Sequence, residues 1–130
     1  MERIQYIPGD LVYIPKSGNN YTIMSSGKYY YEALDANYND VVIECTDIVP
    51  IPLTPEILDK NKWKRLKTKR YTWWKARFDG CYYFIKPNKD YPSVWELCRG
   101  KTKHRFKKIK YVHQLQHFLF GLDLNSDMRL

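Results

Sequence analysis

Residues 109–124, with the sequence IKYVHQLQHFLFGLDL, decide the fold that we predict for this chain. Apolar residues recur there at the spacing of one face of an α-helix: Tyr111, Val112, Leu115, Phe118, Leu119 and Leu122. Among them Leu115, Phe118 and Leu119 are expected to be buried. The opposite face, which is expected to meet solvent, carries His113, Gln114, Gln116 and His117. Gly121 stands where a left-handed residue would end the helix. Because most other segments alternate like strands, we expect this helix to cover a sheet.

The composition indicates a folded protein without a membrane span. The chain has 130 residues, of which 44% are hydrophobic and 16% aromatic, enough for one ordinary domain or two very small ones. No apolar run approaches the roughly 18 residues that a spanning helix needs, and the first ten residues lack the layout of a signal peptide. Cys45, Cys81 and Cys98 form no CxxC pair, which favours buried thiols in a reducing cytoplasm.

The charge is divided unevenly along the chain, whose net charge is +8. Residues 1–59 contain three basic and nine acidic residues, a balance of −6, and residues 60–130 contain 19 basic and five acidic residues, a balance of +14. Such asymmetry suggests two modules, of which the second faces an anionic partner.

The acidic half is predicted to be a small antiparallel barrel. Strand-like segments separated by turn residues lie at 11–15, 21–25, 29–34 and 41–49. The opening Gly9-Asp10-Leu11-Val12 before such strands resembles SH3-like barrels, which implies that fold for residues 1–52. SH3-like barrels commonly use aromatic residues to recognise peptides. The residues that could supply such a surface here are Tyr13, Tyr21, Tyr29, Tyr30 and Tyr31.

The basic half, residues 53–130, is predicted to hold a short helix, an antiparallel meander and the C-terminal helix, and the two halves could pack as one domain. Thr54 is a good N-cap for a helix over 55–63, with Pro55 at its first position. Strands at 71–78 and 81–86 flank Asp79-Gly80, a strong hairpin signal. Strands at 93–99 and 103–109 follow, and the C-terminal helix is expected to cap this four-stranded sheet. The predicted fold class is therefore α+β, mostly β.

Two motifs resemble a group of small uncharacterised proteins of Bacteroidetes, including Bacteroides, and of their phages and prophages. The first is the IPLT segment at residues 51–54, which leads into a helix. The second is the KYVHxLQ helix at residues 110–116, which closes the chain. That group has an asparagine at the position of His117, so this histidine is not a shared site. The resemblance implies a bacteriophage context, in the host cytoplasm or associated with the virion, and no established activity.

Catalytic and metal motifs are not evident, and we predict a protein that is not an enzyme and has no cofactor. The sequence contains no HExxH helix, Gly-x-Ser-x-Gly elbow or Gly-rich phosphate loop. His113 and His117 have the spacing of two metal ligands, and Cys98 or His104 could supply a third. A closed structural zinc site requires four ligands, so we predict no metal site and interpret the pair as two polar residues on the solvent face of the helix.

Two basic stretches, 60–70 and 99–110, hold 14 of the 22 Lys and Arg residues and are interleaved with aromatic rings. Cations contact phosphates and rings stack on bases, so the pattern predicts nucleic-acid binding. In strand 103–109, alternation puts Arg105 and Lys107 on one face and Lys108 on the other. The candidate residues are Lys64, Arg65, Lys67, Lys69, Arg70, Trp73, Trp74, Arg99, Lys101, Lys103, Arg105, Lys107 and Lys108. In the alternative without nucleic-acid binding, the rings belong to the core and the lysines maintain solubility.

The expected function is that of a non-enzymatic phage or prophage accessory protein whose basic half binds an anionic partner, nucleic acid in the first place. The alternative is a protein–protein interaction module, either a virion accessory component or a host-takeover factor, without nucleic-acid binding. A −6 module joined to a +14 module could also self-associate or dock a charged phage or host protein.

Overall fold

The computed structural model describes residues 5–67, 72–78, 80–91, 93–100, 104–122, 124 and 126–130, and at 104–106 it describes the backbone only. Strands dominate these residues, which confirms an α+β fold that is mostly β. The strands are β1 (Leu11–Ile14), β2 (Asn19–Ser26), β3 (Tyr30–Leu34), β4 (Asp40–Glu44), β5 (Val49–Pro50), β6 (Lys64–Lys67), β7 (Thr72–Phe78), β8 (Cys81–Pro87), β9 (Trp95–Arg99) and β10 (His104–Ile109). The helices are α1 (Pro55–Lys60) and α2 (Val112–Gly121), with a 3-10 turn at Cys45–Asp47.

The chain divides into two compact units, each with one five-stranded sheet. The first unit comprises residues 1–51 and 111–127 and holds β1–β5 and α2. The second comprises residues 52–110 and 128–130 and holds α1 and β6–β10. The sequence predicts a boundary between residues 52 and 53, next to this division. It assigns the C-terminal helix to the second module, however, whereas α2 packs on β1 in the first unit.

The first sheet is an antiparallel meander of β1–β4 to which β5 returns, so that the strand order is β4-β3-β2-β1-β5. Among the described residues its two edge strands do not pair with each other, and the closed SH3-like barrel is therefore not confirmed. The single strand predicted over 41–49 is interrupted after Glu44 by the 3-10 turn. Thr46 and Asp47, whose side chains favour turns, break the alternation there. Pro50 of β5 then pairs with Val12 of β1.

The helix α2 is shorter than the predicted segment, because its ends are fixed by local hydrogen bonds. At the N-terminus the Gln114 side chain accepts a hydrogen bond from the Tyr111 N–H (3.1 Å), which is part of a capping box. At the C-terminus the Leu122 N–H donates to the carbonyl oxygens of Phe118 (3.3 Å) and Leu119 (3.1 Å). Gly121 lies inside the helix without a positive φ, so the predicted left-handed glycine end is wrong.

Two polar side chains of α2 that were expected at the surface, His113 and Gln116, are buried, and Gln116 anchors the helix to the entrance of β1. His113 is 5% and Gln116 3% exposed. The Gln116 Oε1 accepts a hydrogen bond from the Leu11 N–H (2.9 Å), and its Nε2 donates to the Gly9 carbonyl oxygen (2.9 Å). Helical periodicity cannot reveal the burial of Gln116, because the sequence does not distinguish a glutamine that is buried and hydrogen-bonded from one that is exposed.

The second sheet has five strands in the order β10-β9-β8-β7-β6, one more than predicted. The additional strand, β6, pairs with β7 from Lys64↔Lys75 to Lys67↔Thr72. Its sequence, KRLK, has only one apolar residue and therefore no visible alternation. The predicted hairpin between β7 and β8 is present: Phe78 pairs with Cys81, and Gly80 has the positive φ of 79° that its turn requires.

One face of the second sheet forms the core of its unit, which we call the inner face. Its buried side chains, which alternate along the central strands, are Trp74, Ala76, Tyr83, Ile85, Trp95 and Leu97. The segment from Leu53 to Trp63 covers it. The Trp95 Nε1–H donates to the Leu53 carbonyl oxygen (2.9 Å), and the ring of Trp63 lies 5.8 Å from that of Phe78. This segment, rather than the C-terminal helix, therefore supplies the cover.

The helix α1 begins as predicted and ends earlier. Thr54 is the N-cap, and its hydroxyl accepts a hydrogen bond from the Ile57 N–H (3.3 Å). Pro55 occupies the first helical position, where the absent N–H has no intrahelical partner to lose. The helix ends at Lys60, and Asn61 follows with its side chain donating to the Ile57 carbonyl oxygen (2.7 Å).

Candidate nucleic-acid interface

The face of the second sheet opposite the inner face carries five cations among the described side chains, and we call it the basic face. Its cations come from β6, β7, β8 and β10: Lys64, Lys75, Arg77, Lys86 and Lys108. Because side chains alternate along strands and paired residues share a face, the register places all five on one side of the sheet. Lys64, Arg77 and Lys108 are exposed, and Lys75 and Lys86 are half-buried.

Aromatic rings lie among these cations. Trp73 of β7 pairs with Leu66 of β6 on one side and lies beside Lys86 of β8 on the other. Tyr82 pairs with Arg77 across the hairpin. The Nζ of Lys75 is 4.2 Å and the guanidinium carbon of Arg77 is 5.5 Å from the centre of the Tyr82 ring. These distances fall within the range of cation–π contacts.

A further cation–π contact on the same face, between Lys86 and Trp73, lies near the carboxylate of Glu96. The Nζ of Lys86 is 4.8 Å from the centre of the Trp73 ring and 3.5 Å from Oε2 of Glu96. The ring of Trp73 meets that of Phe84 edge-on, at 6.2 Å. The rings of Tyr82 and Trp73 are therefore each in contact with cations of the basic face.

The structure distributes the predicted binding residues over both faces. Lys64, Trp73 and Lys108 lie on the basic face. By register, the residues on the opposite side are Arg65, Lys67, Trp74, Arg99 and Lys107. Lys69, Arg70, Lys101 and Lys103 lie outside the described residues, and Arg105 is described only by its backbone in β10.

Trp74 and Arg65 were expected to be available to a ligand, but both are engaged within the protein. Trp74 is 3% exposed, its ring meets that of Trp95 edge-on at 5.4 Å, and its Nε1–H donates to Oδ1 of Asp59 (2.9 Å). The guanidinium of Arg65 lies over Trp74 and forms an ion pair with Asp59. The hydrogen bond from Trp74, followed by the bond from Arg65, lowers the pKa of the Asp59 carboxyl. Trp74 therefore belongs to the core of the second unit, and Arg65 is paired with Asp59 beside it.

The alternation predicted for strand 103–109 is broken by a bulge. Arg105 pairs with Cys98 and Lys107 with the next residue of β9, Leu97, so the register shifts between Arg105 and Lys107. Lys108 then pairs with Glu96 and reaches the basic face. A bulge inserts one residue into one strand and reverses the alternation beyond it, which the sequence alone did not indicate.

Three cations of the basic face are missing from the sequence prediction: Lys75, Arg77 and Lys86. A signal for the first two was present. Positions 73, 75 and 77 share one strand face by period-two alternation, and a two-residue hairpin at Asp79-Gly80 pairs Arg77 with Tyr82. The prediction weighted runs of charge, whereas these cations are isolated between apolar residues.

A second group of titratable side chains lies in the first unit, at the entrance of β1. Asp10 is 1% exposed, and its Oδ2 lies 2.7 Å from His117 Nε2 and accepts a hydrogen bond from the Ile7 N–H (2.8 Å). Burial raises the pKa of Asp10, while the bonds from Ile7 and His117 oppose that shift. Burial also raises the pKa of Tyr6 to about 12.

His113 lies between the rings of Tyr6 and Tyr111, at 5.1 Å and 5.7 Å, and 5.4 Å from that of His117. Its Nδ1 is buried and has no hydrogen-bond partner among the described residues. Burial, followed by the charge of His117, lowers the pKa of His113 to about 4. Among the described residues no group of three or more His, Cys, Asp or Glu side chains could hold a metal ion.

The buried His113 should make the protein sensitive to acid. Its pKa is about 6.5 in the unfolded chain and about 4 in the folded one, so the unfolded state binds more protons between these values. Stability should therefore fall by up to about 3 kcal/mol as the pH falls from 6.5 to 4. Chemical denaturation across this range should show the loss in the parent and a flatter profile in His113→Phe. Asp10, whose raised pKa acts in the opposite direction, is common to both proteins. Parallel profiles would contradict the assignment to His113.

Comparisons of the chain with protein-family models, with curated proteins and with solved structures find no match. No α-helix among the described residues is long and apolar enough to cross a membrane. What the protein does therefore has to be inferred from the geometry and charge of the described residues.

Proposed function

We propose that this chain is a non-enzymatic accessory protein of a phage or prophage, acting in the bacterial cytoplasm or on the virion, whose second unit binds single-stranded nucleic acid. The observation that carries the proposal is the basic face, on which five cations and the rings of Trp73 and Tyr82 share one surface of a sheet. Cations that contact the backbone and rings that stack on bases are the two requirements for binding a single strand.

The charges of the units support this assignment. The first unit contains three basic and nine acidic residues, a net −6, and the second contains 19 basic and five acidic residues, a net +14. The basic face thus belongs to the unit that concentrates the positive charge. A positive field of this kind raises the rate at which a polyanion associates.

The first unit is proposed as an SH3-like barrel. The support is its connectivity: four consecutive antiparallel strands, a 3-10 turn at Cys45–Asp47, and a fifth strand that returns to β1.

Binding should depend on salt in proportion to the number of cations that meet phosphates. If the five cations of the basic face contact about five phosphates, log K should fall against log salt with a slope near −3.5 on single strands. Fluorescence anisotropy with single- and double-stranded DNA and RNA at several salt concentrations measures this slope. Single strands should bind more tightly than duplexes of equal length, because only unpaired bases can stack on Trp73 and Tyr82. No binding to any of these at low salt would remove the proposal.

A protein partner is the second candidate function, and the first unit provides an observation that favours it. Tyr38, Tyr30 and Val42 are 84%, 52% and 68% exposed, and exposed apolar side chains of this size are common at protein interfaces. Tyr29 is exposed as well, whereas Tyr31, another of the tyrosines predicted for such a surface, is buried. A defined phage or host protein that binds the parent but not Tyr30→Ser with Val42→Ser would favour this function.

A further inference from the structure

The strand β4 forms an open edge of the first sheet. Among the described residues only β3 pairs with it, so one side of β4 has no neighbouring strand. The Cys45 N–H donates to the Tyr29 carbonyl oxygen (2.9 Å), in register with the pair of Glu44 and Tyr30. The backbone groups of consecutive residues in an antiparallel strand point to opposite sides. Those of Glu44 and Val42 therefore point away from β3, toward the open edge.

We propose that this open edge binds an extended segment of another protein, in which lysine or arginine alternates with apolar residues, as an additional strand. In this mode of recognition, main-chain hydrogen bonds supply affinity, and hollows for alternate side chains supply specificity. The inference concerns the first unit and does not depend on the proposed nucleic-acid function. It gives the protein-partner candidate a binding mode and a partner chemistry.

A cleft of about 380 Å³ runs along this edge. Its lining includes the consecutive residues 41–44 of β4, whose side chains alternate between the two faces of the sheet. The cleft therefore reaches the backbone edge itself rather than one face. Ile14 and Tyr21 also line it, and Tyr21 and Val41 pack against the core of the unit. Side chains that an added strand turns toward this core would meet apolar groups.

A second hollow, of about 480 Å³, borders the same strand on the outer face of the sheet. Glu32 and Val42 pair there across β3 and β4, and Asp40 shares their face. Met24 and Val42 are 48% and 68% exposed and provide apolar surface, whereas Glu32 and Asp40 provide exposed carboxylates. A lysine or arginine fits both, because its aliphatic stem covers apolar surface while its charged end stays in water.

The charge of the edge favours a basic partner over a second copy of this chain. Glu44 and Asp47 outnumber Lys16 in the lining of the cleft. If two copies paired antiparallel about Val42, in the register that uses all five residues of β4, Asp40 of each copy would lie opposite Glu44 of the other. Like charges directly opposite each other destabilise a strand pair, whereas opposite charges stabilise it.

The first test titrates the full chain with labelled peptides of about nine residues, long enough to span a strand of typical length. One peptide alternates lysine with valine, and the other has the same composition with the lysines and the valines in two separate blocks. Fluorescence anisotropy should show about tenfold tighter binding of the alternating peptide, because only alternation places valines in the cleft and lysines on the outer face.

Methylation of peptide amides tests the main-chain hydrogen bonds in the unaltered protein. In an antiparallel pair, the residues that exchange hydrogen bonds with Val42 and Glu44 share their face, which is the face of the lysines. The alternating peptide with N-methylated lysine amides should therefore bind roughly tenfold more weakly or worse. The same peptide with N-methylated valine amides, which point away from β4, should keep most of its affinity.

Val42→Pro tests the same hydrogen bonds from the protein side. Proline has no N–H, and the N–H of Val42 faces the open edge, so the bonds between β3 and β4 are kept, as for other prolines on edge strands. The alternating peptide should bind roughly tenfold more weakly. The matched control Val42→Thr keeps the N–H and a β-branched side chain, and it should bind nearly as the parent does. Thermal unfolding shows whether both variants fold, and the methylated peptides decide if Val42→Pro does not.

Charge reversal tests the chemistry of the partner. Asp40→Lys with Glu44→Lys should weaken binding of the alternating peptide on the order of tenfold, because attraction becomes repulsion. The matched control Glu56→Lys with Asp90→Lys makes the same change of charge at exposed residues of the second unit. It should retain the affinity of the parent.

Equal affinities of the two methylated peptides, or no binding of the alternating peptide at low salt, would overturn strand addition at β4 and leave the nucleic-acid function standing. Equal weakening by the two charge reversals would overturn the basic partner, because net charge alone would then govern binding. A dimer of the parent in light scattering that Val42→Pro abolishes would also overturn it, because a second copy would then occupy the edge.

Discussion

Reversing three exposed cations of the basic face should abolish nucleic-acid binding while the protein stays folded. The variant combines Lys64→Glu, Arg77→Glu and Lys108→Glu, which lie on β6, β7 and β10. Each cation is expected to contact a phosphate, so the affinity for a single strand should fall on the order of 100-fold or more. The slope of log K against log salt should shrink from about −3.5 to about −1.5, because two of the five described cations of the face remain. Stability should change little, since exposed charges contribute little to folding.

The matched control reverses three exposed cations elsewhere: Lys16→Glu, Lys28→Glu and Arg129→Glu. Each reversal changes the charge by two, so both variants fall from the parent's net +8 to +2. If binding depends on the basic face, the control should retain most of the affinity. Equal loss in the two variants would mean that net charge alone governs binding. Thermal unfolding curves of both variants that match the parent's would exclude loss of structure as the cause.

Truncating Leu115 should cause the largest loss of stability among single changes in α2. Leu115 is fully buried at the centre of the helix, and Leu115→Ala should cost about 2–5 kcal/mol through lost burial and the cavity that remains. Phe120 lies on the same helix and is 64% exposed, so Phe120→Ala should change the free energy of unfolding by less than about 0.5 kcal/mol. Chemical denaturation measures both.

Phe118 should fall between these two. The periodic pattern predicts it to be buried together with Leu115 and Leu119, but it is half-buried, whereas the other two are buried. Phe118→Ala is therefore expected to cost less than Leu115→Ala, despite the larger ring. If Leu115→Ala and Phe120→Ala shifted the denaturation midpoint equally, α2 would be peripheral to the first unit, contrary to the structure.

Local signals in the sequence predicted most elements, because each depends on neighbouring residues. The N-cap at Thr54, the hairpin at Gly80 and the alternation of β7 and β8 are all present. Contacts between elements that are distant in the sequence were harder to predict. That α2 packs on β1 depends on hydrogen bonds between Gln116 and the backbone of Leu11 and Gly9, more than 100 residues away along the chain, and no local pattern encodes such a contact.

The candidate site shows the same division between local and tertiary information. The charge imbalance falls on the unit that carries the basic face, and three of the predicted binding residues, Lys64, Trp73 and Lys108, lie on that face. For the other candidate residues, the face of the sheet on which each lies depended on the register of the strands. The core role of Trp74 follows from its burial and its contact with Trp95 and not from its neighbours in sequence.

Lysine footprinting tests the central claim most directly, because it reads each amine separately in the intact protein. The protein would be acetylated under limiting reagent, with and without a saturating single strand, and each site quantified by mass spectrometry. Lys64, Lys75, Lys86 and Lys108 should react several-fold more slowly when the strand is bound, while Lys16 and Lys28 should react at unchanged rates. Unchanged reactivity at the four lysines of the basic face, or equal protection of all six, would contradict the assignment of this face as the nucleic-acid interface.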